Sequence, residues 1–379
     1  MKEAKSKRNF DDQIDVFIHA LHDKTFVYYF DLRETERKIF PRSLADIFTN
    51  KKADCKAFAL ILSKWLRELG YEAFPALVYS GEYDKEWPSV ARASETNHAI
   101  VLCLLEGKER WIDPTFFFSM GKLIPDHIAN RNAIVLDPRN VRVTKIPLPS
   151  PEKSIRNNKR EIRRIEAENI HVSFSSEDFG ASAVDIFSFY FGFSPETVHR
   201  AIEDRYSNHV SYKKSEITPF NLVSRKIQDL SYSASFIFDF AEFCKKQDMN
   251  QLLPYEESGL DNGKFTWNVQ IGSTKLKKIV EINFSSYEQG YYLGRPRTEI
   301  EETTIEPVRV ENVPKTVHVD TPWFSFTRSF AKENQRLKMK EEVVYKTDRI
   351  QNAELKSPAF LQARKSIKIG GVSLTWVSE

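Results

Sequence analysis

Lys52-Ala53-Asp54-Cys55-Lys56-Ala57-Phe58-Ala59-Leu60 opens the most strongly patterned segment of the chain. A polar approach, residues 50–54, gives way at Cys55 to a helical periodicity. Phe58, Ile61, Leu62, Trp65, Leu66 and Leu69 then share one broad apolar face, and Gly70 supplies the stop signal. Cys55 therefore falls at a helix N-terminus, where unpaired N–H groups and the helix dipole favour a thiolate over a thiol.

Working outward from that helix, the period changes to strand. Residues 73–79 form one apolar run broken only by Pro75. Residues 81–96 read as a polar loop carrying Trp87 and Pro88. His98 to Leu105 is a second strand, Glu106-Gly107-Lys108 a turn, and residues 109–113 a third strand. Upstream, Phe10, Ile14, Phe17, Ile18 and Leu21 recur at helical spacing, which predicts an amphipathic helix over 10–22. His19 and His22 lie on it and read as surface or boundary residues. A short helix is expected over 43–48. Helices followed by an antiparallel sheet packed on them make this an α+β domain.

Cys55, His98 and Asp113 follow in the order nucleophile, base and orienting acid, the set that acyl transfer through a thiol requires. Each alone has a plainer reading: a structural cysteine, a hydrogen-bonded boundary histidine, a turn-forming aspartate before Pro114. The combination points to a triad. The backbone N–H of Cys55 is the natural first oxyanion donor, and a second is not assigned. Trp87 is a candidate lid or wall residue, the alternative being an exposed loop aromatic. Cys103 sits mid-strand among leucines and reads as core.

Composition narrows the class. With 379 residues and 41% hydrophobic content, the chain can build two or three domains with a proper core. A net charge of +3 gives no general argument for nucleic-acid or membrane binding. No apolar run is long enough to span a bilayer. The three cysteines, Cys55, Cys103 and Cys244, are too scattered for a disulfide framework, and the eight histidines are dispersed, so neither a metal site nor another cofactor is expected. The charged stretch 1–12 lacks the apolar core of a signal peptide, and the chain as it stands reads as cytoplasmic.

Near residue 147 the texture changes. Pro147-Leu148-Pro149-Ser150-Pro151 reads as a stiff linker, and the basic stretch holding Lys153, Arg156, Lys159, Arg160, Arg163 and Arg164 as a solvated linker or strand edge. Glu161 and Glu166 interrupt it and no aromatic residues interleave, which argues against nucleic-acid binding. The expected layout is a core over 1–147, a linker over 148–167 and a mostly β, sandwich-like region over 168–379 with inserted helices. Within it, Ser194-Pro195-Glu196 starts a helix over 195–206. Residues 234–247 read as another helix with Cys244 buried inside it. Residues 264–271 and 275–284 read as a hairpin, residues 337–345 as an alternating strand broken by Glu341, and 366–376 as a closing hairpin turning at Gly370-Gly371.

Asp54-Cys55-Lys56, the helix end Arg67-Glu68-Leu69-Gly70-Tyr71-Glu72-Ala73, Asn97-His98-Ala99-Ile100-Val101 and Trp111-Ile112-Asp113-Pro114-Thr115 together resemble the transglutaminase-like core of the papain-like cysteine enzymes. The resemblance covers roughly residues 10–140. It is nearest to a bacterial subgroup in which this core lies between β-rich domains. Relatives of that kind usually carry a signal peptide and an N-terminal β-domain and are mostly exported. Here the chain begins at the core's first helix, and Ala53 stands where many members have glycine. The resemblance implies Cys55 as nucleophile, His98 as general base and acid, and Asp113 as the group holding the imidazole. Attack on an amide or ester of a protein or peptide substrate would give a thioester that water or an amine resolves. Papain-type enzymes use asparagine in the third role, which implies a smaller loss for Asp113→Asn than for His98→Ala. The alternative is a non-catalytic scaffold with a β-rich module that binds protein or polysaccharide.

Overall fold

The computed structural model describes residues 1–23, 26–29, 42–81, 93–116, 123–166, 168–190, 193–207, 211–219, 229–240, 243, 264–269, 273–284, 290–367 and 370–377. Trp87 and Cys244 lie outside them. The architecture is an α+β unit through Pro149 and a β-rich unit beginning at Ser150.

In the first unit, helices α1 (Lys2–Ser6) and α2 (Phe10–His22) precede a two-residue strand β1 (Val27–Tyr28). Next come α3 (Leu44–Asn50), capped by the Ser43 hydroxyl, β2 (Lys52–Ala53) and α4 (Cys55–Glu68). The approach to Cys55, expected as loop, is partly strand: β1 and β2 pair in parallel with Tyr28 opposite Ala53. Helix α4 ends where the sequence places its stop, because Gly70 adopts φ +93°, a conformation that side chains disfavour.

The sheet behind α4 runs in the order β5 (Lys108–Ile112), β4 (His98–Leu105), β3 (Glu72–Val78), β6 (Asn132–Val135), β7 (Arg142–Lys145), all antiparallel. Strand β4 is apolar without alternation because both its faces are covered. Ala99, Val101 and Cys103 join the cluster under α4, while Ile100 and Leu102 join a second cluster with Phe74, Trp111 and Ile146. Burying β4 on both sides stabilises its position, at about 1.5–3 kcal/mol for each fully buried large aliphatic side chain. The pairing of Val101 with Ile112 sets the end of β5 beside the start of β4. That register brings Asp113 to His98.

The second unit is built on an eight-stranded sheet. Its order is β10 (Tyr212–Thr218), β11 (Asp229–Asp239), β9 (Asn169–Gly180), β8 (Ser154–Arg164), β14 (Arg297–Glu306), β18 (Arg336–Tyr345), β17 (Phe324–Glu333), β16 (Val317–Asp320). Between them in the chain lie α5 (Ala181–Tyr190) and α6 (Pro195–Ser207), β12 (Lys264–Val269), β13 (Tyr291–Tyr292), β15 (Val308–Val310) and β19 (Arg349–Ile350), with β20 (Gly370–Trp376) last.

Several expectations are corrected here. The basic stretch is neither linker nor edge. It is β8, antiparallel to β9 and parallel to β14, so the sheet is mixed. Its charges are absorbed locally: Arg156 pairs with Asp178 at 2.7 Å, and Arg160 and Arg164 lie over the Phe174 and Phe240 rings. Residues 234–239 are strand, not helix. Leu230, Tyr232, Ala234, Phe236 and Phe238 are buried at every second position, and that period of two outweighs helix propensity. The expected hairpin over 264–284 has one strand, β12, because the Ser273 hydroxyl caps a helix over Thr274–Glu281. Gly370-Gly371 opens β20, which lies between β12 and β15, and a helix over Pro358–Ser366 precedes it. Glu341, which breaks the apolar side of β18, points inward and takes two hydrogen bonds from the buried Arg328, its cross-strand partner on β17.

Candidate active site

Cys55 is the first residue of α4. Its neighbour Asp54 caps the helix, with a side-chain oxygen accepting from the Ala57 N–H at 3.0 Å and its carbonyl from Phe58 N–H at 2.9 Å. Lys56 lies 2.5 Å from the other Asp54 oxygen and offsets its charge beside the thiol. Cys55 is only 6% exposed, packed with Ala53 and Phe58.

The three residues singled out in the sequence meet at one point. His98 Nε2 lies 2.7 Å from Asp113 Oδ2, and the His98 ring shares a side-chain hydrogen bond with Cys55. With Nε2 committed to the carboxylate, Nδ1 is the atom left for the sulfur. Burial opposes a charge on His98, but the bonds to Asp113 and Cys55 outweigh it and raise its pKa to about 10. The ring is therefore an imidazolium at neutral pH. Asp113 is buried, and burial alone would raise its pKa. Hydrogen bonds from His127 and His98 reverse that and hold the carboxyl well below its usual range. Its other oxygen accepts from the Thr115 N–H at 2.9 Å and the Thr115 hydroxyl at 2.7 Å.

Sequence reasoning missed three contributors. His127, in the turn before β6, reaches the same Asp113 Oδ2 at 2.9 Å and stacks on Phe116. The ligand atoms of His98, Asp113 and His127 lie within 4.8 Å of one another, a spacing that could hold a metal ion. His22, read as a surface or boundary residue, is part-buried and donates through Nε2 to the Pro114 carbonyl at 2.9 Å, bracing the turn that carries Asp113. Burial lowers its pKa despite that carbonyl and the Asp113 charge, so it serves as a neutral donor. Tyr28 stands beside the thiol because β1 pairs with β2, and its side chain hydrogen-bonds Cys55. Desolvation, then the negative charges of Cys55, Asp54 and Asp113, push its pKa upward, so the phenol keeps its proton. No local pattern in the sequence marks any of the three, since each reaches the site through tertiary packing.

The His98 shift has a consequence for stability. The folded pKa of about 10 lies above the unfolded 6.5, so the contribution is whole below pH 6.5 and lost as pH rises through about 10. The melting temperature of the wild type is expected to fall across that window more steeply than that of His98→Gln. Parallel curves would refute the bound imidazolium.

No protein-family model and no curated protein matches the sequence. A solved structure from Parabacteroides distasonis ATCC 8503, described as a "putative protease", superposes with a TM-score of 0.48 at 10% sequence identity. The match covers 98% of this chain and 54% of the other, so the chain spans about half the length of that protein.

Proposed function

We propose that this protein is a cysteine-dependent acyl-transfer enzyme with a transglutaminase-like core, acting on amide or ester bonds through a thioester at Cys55. The unit through Pro149 is taken as the catalytic core and the unit beginning at Ser150 as its β-rich partner region. The observation that carries the reading is the pairing of a thiol at a helix N-terminus with an imidazole whose other nitrogen is held by a buried carboxylate.

In the forward step the Cys55 sulfur attacks the carbonyl carbon. The His98 imidazolium gives its Nδ1 proton to the departing amine or alcohol while Asp113 holds Nε2. Water or an amine then attacks the thioester, giving its proton back to Nδ1. The negative oxygen that develops in each step is met by the Cys55 backbone N–H, which helix geometry leaves without an intrahelical acceptor, and by the Tyr28 hydroxyl. Tyr28 suits this task because its phenol stands close enough to interact with Cys55 and stays protonated.

The test uses p-nitrophenyl acetate, an activated ester that needs no specific recognition. Nitrophenol release and an acetyl adduct mapped to Cys55 by mass spectrometry are expected. An untouched Cys55 under conditions that acetylate free cysteine would exclude the reading. Tyr28→Phe should slow this acylation by about 10²–10³-fold. Its alkylation by iodoacetamide, which builds no oxyanion, should stay near the wild-type rate. Equal losses in both reactions would move Tyr28 from oxyanion donor to a group that tunes the sulfur.

A further inference from the structure

Acyl transfer requires one imidazole on Asp113, yet two are present on the same oxygen. His98 Nε2 lies at 2.7 Å from Asp113 Oδ2 and His127 Nε2 at 2.9 Å. The carboxylate is buried, while the His127 side chain is 31% exposed, which gives an ion a route from solvent. Two imidazole nitrogens and one carboxylate oxygen are the donor set that Zn²⁺ takes in sites with three protein ligands and one open position. Zinc with bonds of about 2.0–2.2 Å needs its ligand atoms about 3.3 Å apart. The two contacts to Asp113 Oδ2 would open by about 0.4–0.6 Å and the two imidazole nitrogens, within 4.8 Å of each other, would close toward the same spacing, an adjustment open to His127 because it sits in a turn rather than in a strand.

We propose that His98, Asp113 and His127 form a divalent-zinc site whose occupation switches the thiol off. This rests on the acyl-transfer reading for its effect, though not for the site itself. Zinc takes the place of the Nε2 proton of His98, which passes to solvent. His127 binds the ion through the Nε2 that now faces Asp113 Oδ2. His98 is then a neutral imidazole with its one proton on Nδ1, facing the sulfur. That nitrogen has no lone pair to accept a proton from the water or amine that resolves the thioester, so turnover stalls while the ion is bound. Asp113, bound to the metal, stops orienting the imidazole for catalysis. Cys55 is not among the three ligands.

The experiment is calorimetric titration of ZnCl₂ into the full chain as wild type, Cys55→Ala, His127→Ala and His127→Gln. Melting curves in EDTA establish that each variant is folded. Steady-state nitrophenol release from p-nitrophenyl acetate with and without zinc is followed in parallel. Wild type and Cys55→Ala should bind zinc with the same affinity, and both His127 variants should bind about 100-fold more weakly or not at all. Zinc should slow steady-state nitrophenol release by the wild type, with EDTA restoring it, and should not slow release by the His127 variants at the same concentration. Binding lost in Cys55→Ala but kept in His127→Ala would overturn the proposal, since the metal would then sit on the thiol. Absence of binding to the folded wild type would overturn it too. Acetylation of Cys55 by p-nitrophenyl acetate in EDTA separates the two claims. An enzyme that acetylates but binds no zinc refutes only the switch. A chain that binds zinc through His127 but never acetylates refutes the acyl-transfer reading and leaves a metal site.

Discussion

Cys55→Ala is expected to abolish acylation by p-nitrophenyl acetate while leaving the fold intact. In the proposed mechanism the Cys55 sulfur forms the thioester, so no residual burst should survive, and the adduct mass should be absent from every peptide of the core. The cost to stability should be small, about 1 kcal/mol, because alanine keeps the apolar packing with Ala53 and Phe58 and gives up one buried atom. Cys103→Ala is the matched control. Cys103 is fully buried in β4, and burial pushes its thiol up to about 12 despite the Arg110 charge, which makes it inert. That variant should lose comparable stability and keep full acylation. A Cys55→Ala protein that still formed the acyl adduct would remove the nucleophile from the proposed mechanism.

Asp113→Asn is expected to be nearly as damaging as loss of His98, slowing acylation by about 10²–10⁴-fold. Resemblance to enzymes that use asparagine in this role implies a milder effect. The surroundings of Asp113 reverse that expectation. Both carboxylate oxygens act only as acceptors: Oδ2 from His98 and His127, Oδ1 from the Thr115 N–H and hydroxyl. Asparagine has one oxygen and one NH₂. If the NH₂ faces Thr115, it meets a backbone N–H that cannot turn away. If it faces the histidines, His98 must accept at Nε2 and carry its proton on Nδ1, the wrong tautomer for a base. The first choice leaves a buried donor unpaired, at a cost of about 1–3 kcal/mol, and the second holds the imidazole in the wrong tautomer. The melting temperature should drop together with the rate. An asparagine variant within about tenfold of wild type and equally stable would reduce Asp113 to a turn former and the triad to a dyad.

The α+β character of the first unit was legible because its signals are local. The apolar face of α4 and the glycine stop are read within a few residues of one another, and the apolar run of β4 reads as strand, while the Asp54 cap and the cover on both faces of β4 come from the structure. The second unit was less legible where two periods compete. Phe236 and Phe238 were compatible with a helix by composition, and only pairing with β9 and β10 decides for strand. The basic run of β8 reads as solvated until β14 and β9 close on both sides of it.

The sequence by itself determined which residues could carry the chemistry: a thiol at a helix start, a histidine at a strand start and an aspartate at a strand end, each at a position set by its own neighbours. Tertiary structure alone decided how many groups share the site. Histidines that look dispersed along the chain converge because β4 and β5 pair in register and the turn before β6 folds back over their ends, bringing His127 onto the carboxylate that already holds His98. Tyr28 arrives by a two-residue parallel bridge that no local pattern predicts. A single-chain pattern records only near neighbours, whereas convergence on one buried oxygen is a property of long-range packing, where burial makes each additional donor count.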